Sequence, residues 1–321
     1  MLVAERLWTA MQQQRWIWAA LGVLMLWIAL TALTARFSLH SLSGVAVSAS
    51  FLLMPALGQM LVITTGRGNI DLSIPSVVTF SAYVTVVTAG SGPHGLWLPL
   101  GLVALASVGV GLFNAFLLLV LRIPAMIATL ATGYVLATAT LLVNARVGIF
   151  QRPPLLTYLA TGRVGDLPVM LLIAFLVAIL VGWLVSRAAY GKHLSAIGQN
   201  IVAARYAGVP VARSIAIAFT TSSLLAGFTG MLLAGYAGGA FLEMGTPYLL
   251  QSVGAVVLGG TLIAGGSASV LGTFFGAFLL VLVVTTMQIA GMPAGTQDIL
   301  QGLIIICVLS VAGGRIRHRA T

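Results

Sequence analysis

Long apolar runs separated by short polar gaps decide what this chain can fold into. A membrane-crossing helix needs about 20 predominantly apolar residues. Ten stretches of this kind can be read: Trp16–Ala35, Val45–Thr65, Ile74–Ala89, Leu96–Leu121, Ala125–Val143, Leu167–Ser186, Ser214–Gly238, Tyr248–Ile263, Val270–Ala290 and Ile299–Ala312. Only 6% of the residues are charged, against about a quarter in an ordinary soluble domain. The expected fold class is an all-α integral membrane protein of about ten transmembrane helices. The first run is longer than the apolar region of a secretory signal, and no clear small-x-small cleavage site follows it, so it is read as a span. The expected organisation is a cytoplasmic segment over 1–15, a transmembrane domain over 16–312 and a basic cytoplasmic tail over 313–321.

The formal charge of +10 invites a nucleic-acid reading, but the basic residues are scattered between apolar runs. Basic residues at span ends are what membrane orientation requires. With both termini inside, the inner gaps hold eleven of them: Arg6, Arg15, Arg67, Arg122, Arg187, Lys192, Arg205, Arg213, Arg315, Arg317 and Arg319. The outer gaps hold four, namely Arg36, Arg146, Arg152 and Arg163. Three of these fall in one stretch, Asn144–Asp166. It is either an external loop with its own charged contacts or the trace of a miscounted span.

Several chemistries lack their residues. A phosphate loop needs GxxxxGK[ST], and the sole lysine stands in Tyr190-Gly191-Lys192-His193. His40, His94, His193 and His318 have no ligand spacing, and Cys307 stands alone in an apolar run, so no metal site and no catalytic residue is assigned. The acids are Glu5, Asp71, Asp166, Glu243 and Asp298. That is a thin supply for ion coupling, which uses intramembrane carboxylates. Asp298 is read chiefly as an N-terminal cap of the last helix.

Gly191–Arg213 holds the main polar interruption. Asn200 can accept a free N–H of a first helical turn. Ile201 to Ala207 are helix formers, Gly208 suits the left-handed position after a helix, and Pro210 forbids continuation. A helix of roughly two turns is far below the ~12–15 residues at which isolated helices become even marginal. It therefore needs a support, and it is expected to be a docking element for a soluble partner.

Two further segments break the apolar pattern. Gly66-Arg67-Gly68-Asn69-Ile70-Asp71-Leu72-Ser73 fits a broken helix beside a transport path or a tight cytoplasmic turn; irregular backbone at membrane depth requires surrounding protein or a cavity. Ala255–Ala277 holds Gly259, Gly260, Gly265, Gly266, Gly272 and Gly276. Small residues let spanning helices approach closely, within the chain or at a subunit interface, and the two glycine pairs fit a turn. Phe113-Asn114-Ala115-Phe116-Leu117-Leu118 is echoed by Phe275-Gly276-Ala277-Phe278-Leu279-Leu280. The echo fits an inverted-topology repeat or chance recurrence of common residues.

The chain resembles permease subunits of the ribose-type branch of bacterial ATP-binding-cassette importers. The resemblance lies in GNIDLS (68–73), in Pro124-Ala125-Met126-Ile127-Ala128-Thr129-Leu130, in Ala196-Ile197-Gly198-Gln199-Asn200 with Ala203-Ala204-Arg205 and Gly208, and in the glycine-rich segment. These matches run in order over about Thr65–Ala277. Leu249 and Gln251 stand where many members carry Glu and Asp. The resemblance implies two permease subunits forming a homo- or heterodimer, two cytoplasmic ATP-binding subunits and an extracytoplasmic solute-binding protein. ATP and magnesium would be held by the ATP-binding subunits, and no cofactor by this chain. The coupling loop, over about 187–213, would use Gly191, Gly198, Asn200, Ala203, Ala204, Arg205 and Gly208. Hydrogen-bonding groups for a solute pathway are assigned to Asn69, Asp71, Ser73, Asn114 and Thr129. Glu243 and the Asn144–Asp166 loop are assigned to the binding-protein face. The expected cargo is a small polar solute, a sugar or related polyol in the first place because few charged residues are available to hold a charged ligand, with nucleoside-like solutes also open. Two other readings stay compatible with the residues: a stand-alone secondary carrier or channel, and a non-transporting membrane scaffold.

Overall fold

The computed structural model describes the backbone over residues 16–34, 39–90 and 94–317, and the side chains over 16–32, 43–90 and 94–307. The N-terminal segment over 1–15, Arg36 and the basic side chains of the tail lie outside the described residues. The chain runs through α1 (Trp16–Thr34), α2 (Leu39–Thr64), α3 (Ile74–Thr88), α4 (Trp97–Leu119), α5 (Ala125–Asn144) and α6 (Pro154–Thr161). Two short strands follow, β1 (Arg163–Val164) and β2 (Leu167–Pro168), and then α7 (Val169–Ser186), α8 (Ala189–Gln199), α9 (Ile201–Tyr206), α10 (Val211–Ala237), α11 (Pro247–Leu258), α12 (Val270–Ile289) and α13 (Ala294–Arg317).

Each of the ten apolar runs contains a helix. Among the described residues, six are long and apolar enough to cross a membrane: Ser43–Thr64 within α2, and α4, α5, α7, α10 and α12. α3 and α11 are shorter apolar helices, and α1 and α13 are apolar over their described side chains, Trp16–Ala32 and Ala294–Cys307. Two boundaries depart from the sequence reading. The run Tyr248–Ile263 stops being helical at Leu258, because Gly260 has φ +85° and turns the chain. The last helix begins at Ala294 rather than Ile299. The Pro293 carbonyl accepts from Thr296 and Gln297 there, so Asp298 sits inside the helix and does not cap it.

Asn144–Asp166 conceals no missing span. It folds as the eight-residue helix α6 followed by a hairpin in which Arg163 pairs with Pro168 and Val164 with Leu167. The fully buried Leu156 anchors α6 beneath Gly235 of α10.

α2 and α10 form the centre and pack against each other. In their apolar windows 89% and 67% of residues are buried, against 28% in α4 and α7. α10 also packs on α3 and α4, while α2 packs on α11 and α12. α1 lies along α12, with Trp16 stacked on Phe275 at 5.8 Å. Leu105, Phe116, Leu142, Leu176 and Trp183 face outward from α4, α5 and α7, which suits a hydrocarbon surround. In lipid the hydrophobic effect gives little drive for helix association, so close packing must supply it. Accordingly, a Cβ on Gly58 would lie 2.7 Å from the Ser222 backbone, and one on Gly111 would overlap that of Thr220. α10 thereby approaches both neighbours backbone to backbone.

Candidate functional site

Between α2 and α3 the chain leaves the helical ladder with Gly66, Arg67 and Gly68 all at left-handed φ, between +60° and +77°. Asn69 Nδ2 donates to Thr65 Oγ1 at 2.9 Å, and Thr65 Oγ1 donates to the Val62 carbonyl at 2.6 Å, which fastens the end of α2. Asp71 then enters the protein. Its Oδ1 accepts from Ser73 N at 3.0 Å and Ser73 Oγ at 2.5 Å, and its Oδ2 accepts from Ser222 Oγ on α10 at 2.8 Å. Gln59 Oε1 on α2 accepts from Asp71 N at 3.3 Å, and Asn114 Nδ2 on α4 donates to Ser73 Oγ at 3.0 Å. Thr129 on α5 closes the group, its Oγ1 accepting from Leu72 N at 2.9 Å and donating to the Ala125 carbonyl at 2.8 Å.

Of the five residues assigned to a pathway, Asp71, Ser73, Asn114 and Thr129 are thus brought together in one buried polar knot, while Asn69 bonds beside it to Thr65. Asp71 is 2% exposed and Ser73, Asn114 and Thr129 are fully buried. A buried carboxylate is tolerated where hydrogen bonds replace its water, and here three donors do so. The knot ties the 65–73 segment to α2, α4, α5 and α10. Asn69 also lines a cavity of about 440 Å³ with Arg67 and Pro124 to Ile127.

Two members of the knot, Gln59 and Ser222, escaped the sequence reading. Their signals were available: a lone glutamine in the apolar run of α2, and the hydroxyl cluster Thr220-Thr221-Ser222-Ser223 within α10. The amide nitrogen of Gln59, the carbonyl oxygen of Asn114 and the hydroxyl of Ser223 are buried without a hydrogen-bond partner.

At the ends of α2 and α7 lies the Gly191–Arg213 segment. α8, missed from sequence, is amphipathic, with Gly191, Leu194 and Ile197 turned inward. Burial raises the Tyr190 phenol above its ordinary pKa, so it stays a donor to the Ser214 carbonyl, 3.4 Å away. Asn200 ends α8 and starts α9; its Oδ1 accepts from Val202 N and Ala203 N, both at 3.0 Å. Gly208, at φ +78°, donates to the Arg205 carbonyl, and Val209 N donates to that of Ala204, the paired bonds of a Schellman ending. Ala204 is buried, while Ala203, Arg205 and Gly208 are exposed. Val202 and Tyr206 also project outward, Tyr206 at 89% exposure.

The glycine-rich segment divides into two parts. Gly259, Gly272 and Gly276 lie where α11 and α12 cross within the chain: a Cβ on Gly259 would overlap Gly272, and one on Gly276 would overlap the Ala255 carbonyl. Gly260, Gly265 and Gly266 belong to the turn between these helices, all at positive φ. Gly266 N donates to the Thr64 carbonyl at 2.9 Å. Gly198, near the end of α8, abuts both atoms of that bond.

On the opposite end, Arg152 lies beside Gly238, and Phe150 and Ala240 pack against one buried cluster of Ala82, Val86, Ala234 and Met244. The 144–168 connection and the exposed Glu243 therefore belong to adjoining loops.

A family model described as "Branched-chain amino acid transport system / permease component" matches residues 41–309. The chain belongs to this family of transport permeases. Among similar proteins is the autoinducer 2 import system permease protein LsrC of Enterobacter sp. (strain 638), 34% identical over 94% of this chain and 88% of that protein. The LsrC proteins of Klebsiella pneumoniae and Salmonella typhi are 34% and 30% identical, over 94% and 95% of this chain and 86% and 87% of their own lengths. No solved structure matches. The resemblance to a sugar-type importer permease carried by the four motifs is borne out. These permeases are components of import systems, and the apolar helices described above agree with membership.

Proposed function

We propose that this chain is the membrane-spanning subunit of an ATP-binding-cassette importer, crossing the bacterial inner membrane about ten times with both termini cytoplasmic. It carries a small polar solute, a sugar or polyol being the leading class, since the LsrC relatives belong to an autoinducer 2 import system. ATP and magnesium are bound by partner subunits, a second permease completes the pathway, and an external binding protein delivers solute to the face holding Glu243 and the Asn144–Asp166 loop.

The observation that carries this reading is α9, a six-residue helix capped at both ends that turns Val202, Arg205 and Tyr206 outward. An exposed aromatic beside an arginine on so short a helix offers an anchor to a partner, and seating in a groove is how short helices are recognised. Arg205 in its last turn complements the helix dipole and can meet a partner carboxylate. Closure of the ATPase pair would press on α9, and the Gly198 junction would pass the movement to α2 and to the α11–α12 turn.

The packing also favours an inverted repeat. α2 against α11 and α12 mirrors α10 against α3 and α4, and the short helices α3 and α11 hold corresponding positions, a pattern that points to a transport path in carriers. The buried Asp71 would favour an ion-coupled carrier acting alone. Its three donors from Ser73 and Ser222 suit an architectural carboxylate instead.

Reconstitution separates these readings. The permease with its ATPase and binding protein should accumulate solute in vesicles only with hydrolysable ATP. Transport down a gradient by the permease alone would overturn the proposal.

A further inference from the structure

A cavity of about 480 Å³ lies between the first half of α2, the end of α10, the start of α11, the end of α12 and the start of α13. This is within the usual size of small-molecule sites. Ser48 in its wall stands sixteen residues before Thr64 on α2, so it lies roughly 24 Å along the helix from the Gly198 junction. None of Asn69, Asp71, Ser73, Asn114 and Thr129 lines it.

The walls combine ring faces with amides. Phe51 and Tyr236 meet at 5.2 Å between centroids, and Tyr248 adds a third ring. Gln251 Nε2 on α11 donates to Gln301 Oε1 on α13 at 3.0 Å, and Gln301 Nε2 donates to the Gln297 carbonyl at 3.3 Å. Each of these two amides retains a further hydrogen-bonding site for a solute hydroxyl. No lysine or arginine lines the cavity, and its one charged side chain is Asp298. The carboxylate of an amino acid, or a phosphate, would be enclosed there without a cation and beside a like charge, which is costly. Hydroxyl groups over aromatic faces meet no such penalty.

We infer that this cavity is the site at which the permease receives solute, that it takes a neutral polyhydroxylated molecule, and that the Gln251–Gln301 pair grips it. The inference rests on the importer reading and assigns that importer's receiving site.

The test uses right-side-out vesicles holding the complete importer with Cys307→Ser, since Cys307 is exposed. A membrane-impermeant maleimide is applied to Gln288→Cys and, in a second variant, to Asp298→Cys, two exposed lining positions that leave the Gln251–Gln301 pair intact. At least one thiol should react and be protected fivefold or more by ribose or xylitol, but not by leucine or ribose 5-phosphate. No reaction at either thiol, protection by leucine or the phosphate ester, or labelling indifferent to every probe would each overturn the assignment. ATP turnover stimulated by the binding protein is measured on the same vesicles. If that turnover persists while protection fails, the cavity is wrong and the importer stands; if the unsubstituted permease supports none, the importer reading itself fails.

Discussion

Thr64 and Gly266, 202 positions apart, are joined by a 2.9 Å backbone hydrogen bond, and Gly198 lies against both of its atoms. Three elements meet there backbone to backbone, namely the end of α2, the end of α8 and the α11–α12 turn, with the Gln199 side chain alongside Gly266. Backbone-to-backbone contact leaves little slack, so displacement of α8 must move α2 or break the junction.

Gly198→Ala tests that rigidity. A methyl group there would overlap the Thr64 carbonyl oxygen and the Gly266 nitrogen, and strain of this kind costs about 1–3 kcal/mol. The variant should melt several degrees lower in detergent. Stimulation of the partner ATPase by solute-loaded binding protein should fall more steeply than basal hydrolysis. Gly208→Ala separates backbone strain from overlap, because Gly208 has open space around it but φ +78°; the left-handed conformation should cost about 1–2 kcal/mol of stability while the Gly198 junction stays intact.

Loss of the cap at Asn200 should loosen α9 specifically. Asn200→Ala removes the acceptor for two backbone N–H groups, at about 1 kcal/mol. Faster amide exchange over 201–206, with α8 unchanged, is the expected signature. Asn200→Asp should restore protection, since aspartate caps as well as asparagine.

How much of this was legible in the sequence follows from the range of the forces. α9 was readable from Asn200 to Pro210 because caps and breakers act within a few residues. The apolar runs gave the helices because hydropathy is also local. α8 was missed because its buried residues Gly191, Leu194 and Ile197 include a glycine and stand among polar neighbours. The start of α13 was misjudged because Pro293, not Asp298, fixes it. The Gly198 junction and the bond from Ser222 to Asp71 depend on partners far apart in the chain, and no local pattern encodes those pairings. Asn69, Asp71, Ser73, Asn114 and Thr129 were picked out by polarity in apolar surroundings, and that signal located the knot without revealing how it is wired.

The knot should behave as one unit. Asp71→Ala leaves the Ser73 and Ser222 hydroxyls without their shared acceptor, while Ser222→Ala removes a single donor to the carboxylate. A double-mutant cycle between the two positions should give a coupling of about 0.5–3 kcal/mol, read from thermal melts in detergent. Additive losses would show that the two side chains stabilise the protein independently.

The central claim is that α9 is where the ATPase takes hold, and its outer face provides the most direct measurement. Tyr206→Ala removes an exposed aromatic side chain without touching the buried Ala204. If it anchors the contact, its loss should weaken ATPase association by at least about 2 kcal/mol, close to thirtyfold, and Arg205→Glu should weaken it further. Affinity of the purified ATPase for the permease in nanodiscs, measured together with solute-coupled ATP turnover, gives the answer. A thirtyfold or greater drop in affinity with loss of coupling is the predicted result. Unchanged affinity and unchanged coupled turnover in both variants would contradict the account.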